Sequence, residues 1–217
     1  MILGILFCVC LVTANLLETK VIELWGLTAT AGLVVFPISY ILNDCIAEVW
    51  GFRKARLIIW MGFAMNFLVL AFGQLAVVLP AAPYWEGGEG FNFVFGLAPR
   101  IVLASLTAFL IGSFLNAYVM SRMKLLSGGR NFSFRAIVST LVGEGADSLF
   151  FFPIAFGGLM PWRELGYMML VQVIIKTVYE ILVLPVTVRV VRYIKRVDGS
   201  DVYDRGVSYN VFRVKEF

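Results

Sequence analysis

Residues 36–56 read FPISYILNDCIAEVWGFRKAR, an apolar, Trp-bearing segment that carries the carboxylates Asp44 and Glu48 and then turns abruptly basic at Arg53, Lys54 and Arg56. What solvent surrounds that segment decides how its acids are read. Hydrophobic residues make up 60% of the 217-residue chain and charged residues 15%, with a mean hydropathy of +0.89. Soluble domains carry about 25% charged residues, so the solvent here is lipid.

A helix that crosses a bilayer needs about 20 apolar residues, and the chain has room for roughly six. Apolar runs fall at residues 2–17, 27–50, 57–79, 98–120, 136–159 and 165–188. The turn-rich breaks PAAPYWEGGEGFN (80–92), KLLSGGRNFS (124–133) and GGLMPWRE (157–164) separate several of them. The reading is an all-α integral membrane protein of six transmembrane helices in one domain, residues 1–196, followed by a polar tail, residues 197–217, expected to be loosely ordered. The first run has no basic flank and leads into NLLETKVIELWG without a small-residue cleavage site, so it reads as helix one rather than a signal peptide.

Basic loops stay in the cytoplasm. Arg53, Lys54 and Arg56 follow run two; Arg122, Lys124, Arg130 and Arg135 lie between runs four and five; Arg189, Arg192, Lys195 and Arg196 follow run six. The opposite connections hold Lys20, Arg100 and Arg163 beside Glu18, Glu23, Glu86, Glu89 and Glu164. Both termini are therefore expected to be cytoplasmic. The net charge of +4 is explained by this topology and by anionic lipid, and no basic face points to nucleic acid. Cys8, Cys10 and Cys45 sit in apolar runs, where thiols pack as small hydrophobes, and neither a disulfide framework nor a metal site is indicated.

Depth can be counted from the basic markers. Asp44, Glu144 and Glu180 each lie nine residues from Arg53, Arg135 and Arg189 respectively, roughly 13 Å inward at helical rise. Three helices thus bring a carboxylate to one level near the middle of the hydrocarbon. Asp147 is nearly a turn from Glu144, and Lys176 is a turn from Glu180. A charge there costs about 2.5–3.5 kcal/mol even on the lenient insertion scale, so these residues face inward. Lys176 paired with Glu180, or with an acid on a neighbouring helix, would lock the bundle. One lysine does not neutralise Asp44, Glu144, Asp147 and Glu180 together, and the surplus is protonated, hydrated or held for a donor-rich or cationic ligand. Asn43, Asn116, Asn66, Gln74 and Gln172 point the same way, each also serving as helix glue. Glu48, five residues from Arg53, reads as half of an interfacial ion pair with it. Ala104, Ala108 and Gly112 form a small-residue face for close packing, and Pro37, Pro153 and Pro185 predict kinks near the acids.

The chain has no histidine, which removes Ser-His catalysis and HExxH chemistry. It has no P-loop either. The acid motif GEGAD (143–147) breaks the Gly-x-Gly-Asp spacing of intramembrane aspartyl proteases at Ala146. No enzyme is expected.

FPISYILNDCIAEVWGFRKAR, STLVGEGADSLFFFPIAFGG (139–158) and KTVYEILVLPVTVRVVRYIKRVDGSDVYD (176–204) together resemble the YhhQ-like queuosine precursor transporters of the bacterial vitamin uptake transporter family. The resemblance implies a six-helix inner-membrane protein similar in architecture to the substrate-binding subunits of energy-coupling-factor transporters. It implies import of 7-cyano- and 7-aminomethyl-7-deazaguanine without a cofactor. At the tail the family tends to end in Asn-Pro-Phe, where this chain reads YNVF (209–212). A deazaguanine presents N1–H and an exocyclic amine side by side, which one carboxylate accepts in a bidentate fashion. Its carbonyl suits Asn or Lys donors, and its flat face suits an aromatic ring, with Phe150, Phe151, Phe152 and Tyr179 the candidates. The expected substrate-binding set is Asn43, Asp44, Asn116, Glu144, Asp147, Lys176 and Glu180. The expected partners are a small-molecule deazaguanine and the bilayer; an energising subunit is compatible with the sequence but not indicated by it. The rival readings are a structural or assembly subunit whose acids only tie helices together, and an importer of another small vitamin-like or purine-like molecule. The charge pattern predicts that a reporter fused at Ser127 reads cytoplasmic and one at Gly88 periplasmic; reversed readings would overturn the six-span topology.

Overall fold

The computed structural model describes residues 2–24, 27–96, 99–159 and 161–213. Six α-helices build the fold among these residues: α1 (Ile2–Leu17), α2 (Phe36–Val78), α3 (Gly88–Phe95), α4 (Pro99–Ser127), α5 (Phe132–Phe156) and α6 (Trp162–Asp198). Four stretches are long and apolar enough to cross a membrane, Ala31–Val78, Leu103–Ser127, Phe132–Phe156 and Trp162–Asp198, and α1 is a shorter apolar helix.

Residues 27–34 are not helical, contrary to the expected start of the second span. They form strand β2 (Leu27–Thr30), antiparallel to β1 (Val21–Leu24), and a 3-10 turn, Ala31–Val34. Helix α2 starts instead at Phe36, with Pro37 in its first turn, where the missing N–H has no helical partner to lose. Pro37 therefore opens a helix rather than kinking one. Ala98, the expected first residue of the fourth span, lies outside the described residues, as do Trp25, Gly26 and Val214–Phe217. Helices α4 and α6 run past their apolar stretches, to Ser127 and Asp198, because their polar final turns are used in contacts below the apolar layer. Gly199 ends α6 at φ 67°, its N–H donating to the Lys195 carbonyl.

Contacts along the helices give their relative directions. Ile58 packs where Gly4 leaves room and Phe7 where Gly62 does, so α1 runs parallel to the second part of α2. Phe7 meets Phe109 and Ser105 donates to Asn15, so α4 runs antiparallel to α1. Asn43 meets Asn116 and Trp50 reaches Asp198, placing the first part of α2 parallel to α4 and α6. Asp44 meets Ser139 while Glu48 meets Arg135, so α5 opposes them. The small-residue face sits at the α4–α5 crossing. Ala104 and Ala108 are buried, and a Cβ on Gly112 would lie 2.9 Å from the Gly143 carbonyl oxygen, so glycine sets the helix separation there.

The expected loop between spans two and three is a single residue. Gly51, at φ 79° and ψ 178°, is the one non-helical position inside α2, in a region open essentially to glycine alone. Phe52, just past the break, donates its N–H to Asp204 Oδ2 at 2.8 Å, and a Cβ on Gly51 would come within 2.6 Å of Asp204 Oδ1. Asp204 also accepts from Ser121 of α4 at 2.5 Å. The described part of the tail, residues 197–213, is therefore docked rather than loose. Val202 donates to Val49, Arg56 donates to the Ser208 and Asn210 carbonyls, and Trp60 Nε1 donates to Val211. Tyr209 lies edge-on to both Phe52 and Tyr118.

Glu48 faces away from Arg53, which is exposed. It is a buried hub at the same end of the bundle, 2.5 Å from Arg135 of α5 and 2.6 Å from Lys195 of α6. Lys124 of α4 donates to the Glu48 carbonyl and to Asp201 Oδ1, both at 2.5 Å. Lys195 also pairs with Asp201 at 2.8 Å. Three of the basic residues counted as loop charges, Lys124, Arg135 and Arg56, are thus fully buried.

Gly51→Ala is expected to cost about 1–3 kcal/mol from backbone strain, and Asp204→Ala about 1–3 kcal/mol from the orphaned Phe52 N–H. Both act on one junction, so thermal unfolding of the double variant should show less than the summed loss. Partial burial raises the Asp201 carboxyl, but hydrogen bonds from Lys124 and Lys195 outweigh it and hold Asp201 below the usual aspartate range. Its share of tail docking is present above the ordinary aspartate value and is lost as pH falls through the depressed one. Proteolysis of the tail should therefore rise only below about pH 4, and Asp201→Asn should raise it at neutral pH.

Candidate functional site

The sequence-derived acids converge between α2, α5 and α6. Lys176 reaches across from α6 to α5, with Nζ 2.7 Å from Glu144 Oε2 and 3.8 Å from Asp147 Oδ2. Its ammonium also sits 3.9 Å from the centre of the Phe36 ring, a cation–π contact that adds to its fixation. Lys176 therefore pairs between helices and not with Glu180, the acid one turn along its own helix. Glu180 turns instead toward α2 and α5, beside Asp44 and Thr140. One cation faces Glu144 and Asp147 while Asp44 and Glu180 face each other. All five side chains are buried.

Asp44 has weak support for a fully buried carboxylate. Ser139 Oγ lies 3.3 and 3.5 Å from its two oxygens, but a hydroxyl has one proton, and Ser139 is closer to the Ala136 carbonyl, at 2.9 Å. Asn43 Nδ2 donates to the Ser113 carbonyl at 3.1 Å and to Asn116 Oδ1 at 2.8 Å, which orients both amides. Asn116 Nδ2 and Thr140 Oγ1 lie beside the Asp44 and Glu180 carboxyls, yet neither makes a hydrogen bond of normal geometry. Tyr40 Oη, Asn43 Oδ1, Glu144 Oε1, Ser148 Oγ and Glu180 Oε2 are likewise buried without a hydrogen-bond partner among the described residues. Buried polar atoms are nearly always paired. Unpaired donors and acceptors on α2, α4, α5 and α6 are thus concentrated around four acids and one lysine among the described residues.

Other expected contributors lie elsewhere. Gln74 is exposed and donates to the Phe95 carbonyl at 2.5 Å, and Gln172 is half-buried. Phe151 and Phe152 pack on each other and on Phe156, Phe150 is partly exposed, and Tyr179 packs on the Ile41, Cys45, Val49 and Val191 cluster. The aromatic rings at the acids are Phe36 and Tyr40, whose centroids are 5.6 Å apart. A Cβ on Gly112 would come 2.5 Å from Tyr40 Oη, so the glycine face also makes room for the phenol. Glu18, counted in the sequence as a loop charge, lies within electrostatic reach of Lys176 and Asp147. The signal for Phe36 and Tyr40 was available, since both precede Asp44 on one helix; Glu18 had none, because it follows α1 in a polar stretch.

The family described as "Putative vitamin uptake transporter" matches over residues 30–190, an interval that holds the seven expected binding residues and excludes Glu18 and the tail. The chain is 32% identical over 177 residues to the "Probable queuosine precursor transporter" of Bacillus subtilis (strain 168), covering 80% of this chain and 76% of that one. It is 28% identical over 152 residues to the "Queuosine precursor transporter" of Escherichia coli (strain K12), covering 70% and 64%. It is 27% identical over 145 residues to a "Probable queuosine precursor transporter" of Haemophilus influenzae (strain ATCC 51907 / DSM 11121 / KW20 / Rd), covering 64% and 59%. No solved structure matches the chain.

Removing the lysine alone leaves Glu144 and Asp147 together without a counter-charge. Lys176→Met should therefore cost about 3–5 kcal/mol, and adding Glu144→Gln should recover part of it in thermal unfolding, Asp147 remaining without its counter-charge. A Lys176→Met protein as stable as the native one would contradict the pairing.

Proposed function

The chain belongs to the vitamin uptake transporter family, whose members are transporters and not enzymes, and from that premise we propose that it imports queuosine precursors, 7-cyano- and 7-aminomethyl-7-deazaguanine. It is a multi-pass protein of the bacterial inner membrane. In this reading the chain crosses six times, with the two parts of α2 on either side of Gly51 as separate passes. The alternating helix directions support that count. The end that carries Glu48, Lys124, Arg135 and the tail faces the cytoplasm, as its excess of basic residues favours, and the architecture is similar to the substrate-binding subunits of energy-coupling-factor transporters.

One observation carries the assignment: buried, unpartnered hydrogen-bonding atoms surround an excess of carboxylates inside an apolar bundle. In the proposed complex Asp44, flanked by Glu180, accepts the paired N1–H and amine donors of the base. Asn43 and Asn116 hold that face and offer donor and acceptor capacity to the ring edge. Lys176, held by Glu144 and Asp147, supplies the positive pole for the C6 carbonyl. The aminomethyl form adds an ammonium, for which the free Glu144 Oε1 is an acceptor. Phe36 and Tyr40 supply the ring surface for the flat base.

A second reading has support in the 2.7 Å Lys176–Glu144 contact: the charges serve only to lock α5 to α6. Such a lock explains Lys176, Glu144 and Asp147, but gives Asp44 and Glu180 no cation among the described residues. The two readings separate when stability and uptake of radiolabelled precursor are measured together, in cells unable to make it. Asp44→Asn and Glu144→Gln are each expected to reach the membrane and to lose uptake roughly a hundredfold, since an amide turns a donor toward the base's donors at a cost of about 2–4 kcal/mol. Native uptake in both variants would remove these acids from the site.

A further inference from the structure

The outer surface of the bundle carries a feature that substrate transport does not use. Between α1 and the second part of α2 lies an apolar groove of about 640 Å³, lined by Gly4, Cys8 and Val12 on one side and Leu57, Met61 and Met65 on the other. Its floor is close at one end, where a Cβ on Gly4 would come 3.3 Å from Ile58 Cδ1. The methionines are 48% and 42% exposed, and their unbranched thioethers adapt to a flexible apolar guest.

We propose that this groove binds an anionic phospholipid, with an acyl chain along the groove and the phosphate on Arg53 and Lys54. Leu57, Met61 and Met65 repeat at four-residue intervals, so they share one helix face, and Arg53 is the next residue of that face toward the break. Lys54 stands in the same relation to Ile58. Both basic residues are exposed and neither is ion-paired among the described residues. Four other cations at this end are committed elsewhere, Lys124, Arg135 and Lys195 to Glu48 or Asp201 and Arg56 to the tail. Helix α1 contributes no acid to compensate them. The groove mouth is thus a two-cation site beside an apolar slot, which matches a phosphate headgroup joined to a hydrocarbon chain; a zwitterionic lipid would bring its own cation to the same place.

The test uses the full chain, purified with added phosphatidylglycerol or phosphatidylcholine of identical acyl chains, and reads lipid retention by native mass spectrometry. Phosphatidylglycerol should be retained in preference, and Arg53→Gln with Lys54→Gln should reduce that preference roughly tenfold while leaving thermal unfolding unchanged. Cys8 gives an independent readout: with Cys10→Ser, phosphatidylglycerol should slow its alkylation by a membrane-soluble maleimide. Equal retention of the two lipids, an unchanged preference in the double variant, or a Cys8-linked dimer showing that a second copy fills the groove would each overturn the proposal. None of these readouts depends on uptake, so they stand apart from the substrate assignment.

Discussion

An excess of carboxylate inside an apolar bundle is the constraint around which this protein is built. Asp44, Glu144, Asp147 and Glu180 share one buried region with a single lysine among the described residues. Placing charge in hydrocarbon is unfavourable by several kcal/mol per group, so helices that carried it without compensation would not stay together. The α5–α6 pairing through Lys176, the amide pair of Asn43 and Asn116, and the glycine crossing of α4 on α5 are successive responses to that constraint. Each brings polar atoms from different helices within reach of one another, and each leaves some of them unpaired. The unpaired remainder is the part to which the proposed function assigns the substrate.

At the other end of the bundle the same chemistry has the opposite outcome. Glu48 is as buried as Glu144, but Arg135 and Lys195 pair with it directly, and Lys124 and Asp201 extend the network to α4 and the tail. Charges there are matched and hydrogen-bonded, the condition under which buried ions hold helices in one arrangement. The two layers lie on the same helices, one turn apart on α2 between Asp44 and Glu48. A saturated layer that ties the helices together therefore adjoins an unsaturated one. Gly51 and Asp204 close this layer by joining the break in α2 to the tail.

Much of the site was legible because depth is countable: equal spacing from basic markers put Asp44, Glu144 and Glu180 at one level, and the structure brings them together. Helix rotation within the bundle was not countable. The i, i+4 spacing of Lys176 and Glu180 suggested a pair, but α6 turns Lys176 toward α5 and Glu180 toward α2, a choice made by packing between helices. Nearness in sequence likewise points Glu48 to Arg53, whereas its partners lie 87 and 147 residues away. The tail carries no periodic apolar pattern, because it docks through the carboxylates of Asp201 and Asp204, backbone hydrogen bonds and single aromatic rings. Gly51 carried a readable signal, a glycine at the change from apolar to basic sequence, but a single residue is shorter than the loop that hydropathy leads one to expect.

The central claim is that the buried acids read the donor edge of a deazaguanine. Competition against uptake of radiolabelled 7-cyano-7-deazaguanine tests it directly, with an analogue identical except that the exocyclic amine is absent. A site built around that amine leaves a carboxylate oxygen unpaired when it is missing, a loss that polar sites enforce far more strongly than apolar ones. The account predicts that the analogue competes at least about tenfold more weakly than the unlabelled precursor. Equal competition by the two would contradict it, and would mean that the acids are not where the base is read.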